Sequence, residues 1–183
     1  MTLFYGKYIR GLFTLMIIVF TLGVGCDDSY SSIDYAELEE EEEELRLEFF
    51  DSVRDSLMRN SVDSIIDMDD NGWAFYETKK GSSDSVSVGK TVAFKYKYYY
   101  LTRDDDGEPA LFLQYSNYDY ETLTTYTVGS IGDQYNEILQ GVDLGIRYMS
   151  LYSKAYIIMS HSLAYSDYFT VVAEIEVVSM DLD

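Results

Sequence analysis

Apolar residues follow three different patterns along this chain. Residues 12–24 form an uncharged, mainly apolar run between Arg10 and Cys26. Further on, Leu45, Leu47, Phe49, Phe50, Val53, Leu57 and Met58 recur at the i+3 and i+4 spacings of an amphipathic helix, which is expected over residues 35–59. From Gly72 the pattern becomes strand-like, with apolar and aromatic runs at 73–77, 85–88, 91–102, 110–115 and 124–128. Lys80-Gly81-Ser82 and Asp106-Gly107 supply turns between them. A short helix is expected over 135–148, followed by strands at 154–159 and 170–180. In the last strand Val171, Ala173, Ile175 and Val177 alternate with Val172, Glu174, Glu176 and Val178, a period of two with one face more polar. Strands with one helix laid across them make an α+β domain.

The first apolar run changes the picture at the N-terminus. Lys7 and Arg10 precede it, Gly23-Val24-Gly25 end it in small residues, and Cys26, the chain's single cysteine, follows at once. The uncharged stretch 11–25 is shorter than the ~20 residues a bilayer core requires. It resembles a bacterial lipoprotein signal, with cleavage before Cys26 and lipidation of its thiol, although Leu22 lies four residues before the cysteine instead of the usual three. The expected organisation is a signal peptide over 1–25, a tether over 26–34, an acidic helical preamble over 35–70 and the α+β domain over 71–183. Asp27-Asp28 behind the cysteine resembles an inner-membrane retention signal in some bacterial sorting systems and an outward-export signal in others; a cell-envelope lipoprotein anchored to the outer membrane, on its periplasmic or its surface face, is expected. Asp-Ser-aliphatic tripeptides at Asp51, Asp55, Asp63 and Asp84 resemble O-glycosylation acceptors of such surface proteins.

Charge excludes one class of partner. The formal net charge is -20, and a chain so anionic repels nucleic-acid phosphates and favours a soluble monomer. With one cysteine no intramolecular disulfide forms, so the core alone must hold the fold. The acidic run 39–44 reads as the solvated face of the first helix, and its glutamates suit the positive end of the helix dipole. Asp67-Met68-Asp69-Asp70-Asn71-Gly72 matches the first half of a calcium loop, but Thr78 stands where the bidentate carboxylate should be. A plain turn from helix into strand is expected there, with no metal and no cofactor.

Several strings after Gly72, taken in order, resemble the FKBP-type peptidyl-prolyl isomerases. Gly141-Val142-Asp143-Leu144-Gly145-Ile146-Arg147-Tyr148-Met149 is similar to the family's Gly-Trp-x-x-Gly helix, and His161-Ser162-Leu163-Ala164-Tyr165 to its Ala-Tyr corner. Val88-Gly89-Lys90-Thr91-Val92-Ala93-Phe94-Lys95-Tyr96 resembles the stretch entering the pocket strand, and Tyr126-Thr127-Val128-Gly129 the family's Phe-x-Leu-Gly. The resemblance implies an FKBP-like antiparallel sheet wrapped around one short helix, preceded here by the acidic helix. It implies an apolar bowl that binds a prolyl peptide bond twisted out of plane, against an uncatalysed barrier of about 18–20 kcal/mol, with no nucleophile or metal.

Carried over by position, the resemblance assigns Tyr96, Ile138, Leu139, Tyr165 and Phe112 to the pocket wall, with the Tyr165 hydroxyl offered to a substrate carbonyl. The chain departs from the family at the floor, where Val142 replaces tryptophan, at Ala173 in place of an aromatic, and at Leu113 in place of an aspartate. The loop Ser166-Asp167-Tyr168-Phe169 is also short. These departures weigh toward a non-catalytic module that holds a peptide, protein or glycan partner, while the kept tyrosines weigh toward a foldase acting on prolyl peptides or unfolded envelope proteins. His161, the single histidine, has no matched nucleophile and is expected to be structural. Alternation along β-structure sends Tyr96, Tyr98 and Tyr100 to one face and Lys97 and Tyr99 to the other, which leaves a tyrosine face open to stacking.

Overall fold

The computed structural model describes residues 34–120, 123–131 and 138–181. Cys26, the apolar run before it and the tether up to residue 33 lie outside them. One compact unit spans Tyr35–Asp183. Among the described residues no helix is long and apolar enough to cross a membrane.

Helix α1 (Tyr35–Asn60) opens this unit, followed by β1 (Asp63–Asp67), the single turn α2 (Met68–Asn71), β2 (Trp73–Lys79), β3 (Thr91–Arg103) and β4 (Pro109–Ser116). Then come β5 (Thr124–Thr127), α3 (Gln140–Ile146), β6 (Lys154–Met159), a short 3-10 turn (His161–Leu163) and β7 (Val171–Met180). The sheet order is β1-β2-β6-β7-β3-β4, β5 pairs with β3, and each pairing is antiparallel. Two expectations need correction. A strand not foreseen, β1, lies between the first helix and the turn and pairs with β2 along its whole length. The strand expected at 85–88 is instead one bridge, Ser85 to Ser150.

The two faces of the sheet bury different partners. On one, α3 lays Val142 and Ile146, neither with exposed surface, against Phe75, Phe94, Ile157, Ile175 and Val177. Gly145 lets α3 come this close, since a Cβ there would stand 2.4 Å from Ile157 Cδ1. On the other face α1 places Phe49 and Phe50 on Ala74, Tyr76, Leu101, Ile158 and Val172, with Leu45, Val53 and Leu57 at the rim of the contact. Each buried phenylalanine contributes about 1.5–3 kcal/mol of apolar burial. β7 shows the alternation read from its sequence: Val171, Ala173, Ile175 and Val177 join the α3 side, while Glu174 and Glu176 turn outward to Lys97 and Lys154 at 3.2 and 2.9 Å.

The acidic run of α1 is not uniformly solvated. Glu42 is buried at 6 % exposure, because α1 crosses the sheet where the chain around the 3-10 turn and the start of β7 offer donors. Its carboxylate accepts from Arg46 Nη1, Thr170 Oγ1, the His161 backbone N–H at 3.3 Å, and stands 3.3 Å from His161 Nδ1. Burial on its own raises the Glu42 pKa, but the hydrogen bonds from Arg46 and Thr170 and the guanidinium charge outweigh it and hold the carboxyl below 4.5. His161 is thus tied to α1, and its ring also stacks on Tyr168 at 4.9 Å.

Candidate functional site

On the α3 side of the sheet a cavity of about 190 Å³ is lined by Tyr96, Tyr98, Tyr115 and Tyr165. Three chain segments build it. β3 supplies Tyr96 and Tyr98, whose rings stack at 4.3 Å. β4 supplies Tyr115, the direct partner of Tyr98 in register and therefore on the same face. The corner after β6 supplies Tyr165, whose ring lies 5.9 Å from that of Tyr115.

Polar anchors fix these rings. The buried side chain of Asn117 accepts from the Tyr96 backbone N–H at 2.7 Å and donates to the Phe94 carbonyl at 3.0 Å, which locks the end of β4 onto β3. Behind the cavity Tyr100 stacks on Phe169 at 4.9 Å, meets Tyr165 edge-on at 6.1 Å and donates its hydroxyl to Asp167. Burial, then the Asp167 carboxylate, pushes the Tyr100 hydroxyl well above its ordinary pKa, so it acts as a fixed donor. Ser166 and Tyr168 take positive φ of 60° and 63°, which turns the short loop sharply enough to bring Asp167 and Phe169 back to Tyr100.

Of the residues assigned from the sequence, Tyr96 and Tyr165 meet in the cavity. Ile138 and Leu139 are buried at 8 % and 5 % in the core cluster that Tyr96 packs against, and they do not line the cavity. Phe112 lies opposite Tyr100 on the same face but is 62 % exposed and outside the lining. The aromatic beside Tyr165 is Tyr115, which the sequence did not single out. A bulge explains this: Tyr98 pairs with Tyr115 and Tyr99 with Leu113, so Gln114 is skipped and simple alternation assigns the wrong face beyond it.

The departures at the floor have a structural counterpart. Ala173 has no exposed surface and stands directly opposite Tyr98. The small side chain on β7 leaves room for the Tyr98 ring, which is 1 % exposed and packs in the same cluster as Val142. An aromatic from β3 therefore backs the cavity where the helix offers only valine.

Two other hollows lie near α1. One of about 380 Å³ runs between Leu38, Leu45, Leu101 and Phe169, and one of about 260 Å³ is bordered by Glu39, Glu43, Asp69 and Asp70. The first has two aromatic residues, Tyr168 and Phe169, on one side, and neither contains the tyrosines that the family resemblance assigns to the prolyl site. No group of three or more His, Cys, Asp or Glu side chains among the described residues is placed to hold a metal ion.

No family model matches the chain, and no curated protein matches it by sequence. Solved structures do. The fold is similar to the N-terminal domain of FKBP42 from Arabidopsis thaliana, with a TM-score of 0.50 and 14% identity over 67% of this chain and 94% of that one. It is also similar to FkpA from Escherichia coli, with a TM-score of 0.53 and 14% identity over 80% of this chain and 63% of FkpA, so this chain spans less than two thirds of that protein. The fold is FKBP-like: an antiparallel sheet with one short helix packed on its inner face.

Proposed function

We propose that this chain is an envelope lipoprotein whose FKBP-like domain is peptidyl-prolyl isomerase-like, taking one prolyl ring of a partner polypeptide into the tyrosine-lined cavity. The observation that carries this is the meeting of Tyr96 and Tyr165, the two tyrosines the family resemblance assigns to the prolyl site, in one cavity. Its size of about 190 Å³ suits a single side chain, below the ~300–1,000 Å³ typical of whole small-molecule sites. Aromatic walls exclude water from the bound amide, and a tyrosine hydroxyl supplies a hydrogen bond to a substrate carbonyl. Isomerisation that takes tens of seconds unaided is the step such a site would accelerate. Cys26 is its lipid attachment point and the outer membrane its location; Cys26→Ala would then move the chain from the membrane fraction to the soluble one.

A second reading, binding without turnover, is favoured by Val142, which lies buried in the core and offers the cavity no aromatic floor of its own. One experiment separates the two. The full chain, its Tyr96→Phe and its Tyr165→Phe variants are assayed for isomerisation of a set of proline tetrapeptides. Acceleration that falls in the variants supports the isomerase. A flat rate with a saturable, variant-sensitive peptide affinity selects the binding module, and absence of both rejects the cavity as a prolyl site.

A further inference from the structure

β4 is the outermost strand at one end of the sheet, and among the described residues no strand pairs with its outer edge. Leu111, Phe112, Leu113 and Tyr115 are 41 %, 62 %, 49 % and 52 % exposed, on both faces of the strand. From Pro109 to Tyr118 the sequence carries no charge. Folded proteins ordinarily blunt such an edge with charges, prolines or a very short strand. The opposite edge of this sheet is blunted in that way, since β1 has 5 residues and an aspartate at each end. β4 has 8 residues, its proline sits at the first position and its bulge falls at Gln114, which leaves Ala110 to Leu113 between them in regular register.

We infer that the outer edge of β4 is a strand-addition site for an extended, apolar polypeptide segment flanked by basic residues. An added strand would pair its main chain with β4, set alternate side chains over Phe112 and Tyr115 on one face, and set the others over Leu111 and Leu113. Charge selects the flanks. Asp104, Asp105, Asp106 and Glu108 stand exposed at one end of the strand and Asp119 at the other. The neighbouring Arg103 is already engaged, by Glu48 at 2.9 Å and the Gly107 carbonyl at 2.9 Å. A second copy of this chain would bring a net charge of -20 and, in antiparallel pairing, would lay one Asp104–Glu108 hairpin beside the other copy's Asp119. A basic-flanked segment meets the same acidic ends with attraction. The site shares Tyr115 with the tyrosine cavity, but it rests on the backbone edge of β4 and not on the prolyl reading.

The test uses the full chain and a fluorescein-labelled peptide of alternating valine and threonine, as long as β4, with a pair of lysines at each end. Fluorescence anisotropy is expected to show saturable binding. The same peptide N-methylated throughout its central residues keeps the side chains but donates no backbone hydrogen bond, and should bind about tenfold more weakly or worse. Leu111→Lys and Leu113→Lys, at positions already open to solvent, should each weaken binding while circular dichroism and the tetrapeptide assay stay unchanged. Equal binding of parent and N-methylated peptides would overturn strand addition. A glutamate-flanked peptide that binds as tightly would overturn the choice of basic flanks. A concentration-dependent dimer in sedimentation, dissolved by Leu113→Lys, would overturn the proposed occupant in favour of a second copy.

Discussion

Replacing Glu42 by alanine should be among the most damaging single changes on α1. The side chains of Arg46 and Glu42 are only 7 % and 3 % exposed, so the pair lies inside the contact between helix and sheet. Removing the carboxylate leaves the guanidinium buried without a counter-charge, and strands the donors of Thr170 and the His161 backbone. Losing one partner of a buried ion pair costs about 3–5 kcal/mol. For a unit of this size that lowers the melting temperature by roughly 10–15 °C. Urea and thermal unfolding followed by circular dichroism read the effect directly. Adding Arg46→Met to Glu42→Ala should recover part of the loss, because it removes the stranded charge and keeps the apolar packing. The sign of the pH dependence is fixed too. The folded pKa of Glu42 lies below 4.5, so its stabilisation is present above about pH 4.5 and is lost as pH falls through the folded value. Glu42→Gln should flatten that acid limb. A loss below about 1 kcal/mol for Glu42→Ala, the level of a surface ion pair, would refute the buried-hub reasoning.

Gly145→Ala drives a methyl into Ile157 and should destabilise by about 1–3 kcal/mol in thermal unfolding. Asp143 has no exposed surface and accepts from Gly129 N–H at 2.7 Å, Tyr126 hydroxyl at 3.2 Å and Arg147; Asp143→Asn should cost about 2–3 kcal/mol in urea titrations by weakening charge-assisted bonds. Tyr115→Ala removes a cavity wall that is 52 % exposed, so prolyl tetrapeptide binding should weaken about tenfold, while the melting temperature moves little. Tyr98→Ala and Ala173→Phe should each destabilise alone, the first by a void and the second by a clash, and their double variant should lose at least 0.5 kcal/mol less than the sum in unfolding titrations.

The parts of this fold legible in the sequence are those governed by periodicity within one element. The stripe of α1 from Leu45 to Leu57, the alternation of β7 and the tyrosine faces of β3 each follow from spacing alone and are found where spacing puts them, while Met58, expected in the same stripe, is 50 % exposed. What stayed hidden depends on residues far apart. Glu42 sits in a run of identical residues, and only Thr170 and His161, brought in from the far end of the chain, distinguish it. β1 is short and ends in aspartates at both sides, a composition that reads as a loop until β2 offers a full ladder. Tyr115 was masked by the skipped residue at Gln114, because two residues three apart, Phe112 and Tyr115, share a face only when a bulge intervenes.

The same dependence on distant residues explains how a tyrosine-lined cavity forms here with a valine in the helix. A pocket needs a filled floor, and which element fills it is a matter of volume, not of position in the chain. In this protein β7 carries a buried alanine at the register point where β3 carries the buried Tyr98. The stacked pair Tyr96 and Tyr98 then forms a continuous aromatic wall on a single strand, held by Asn117 at the far end. The opposite wall, Tyr165, rides on a corner whose two ends, His161 and Thr170, both bond to Glu42 of α1. The acidic helix is therefore part of what holds the cavity's shape, and a truncation that keeps only the strands and α3 would lose one wall as well as one face of the core.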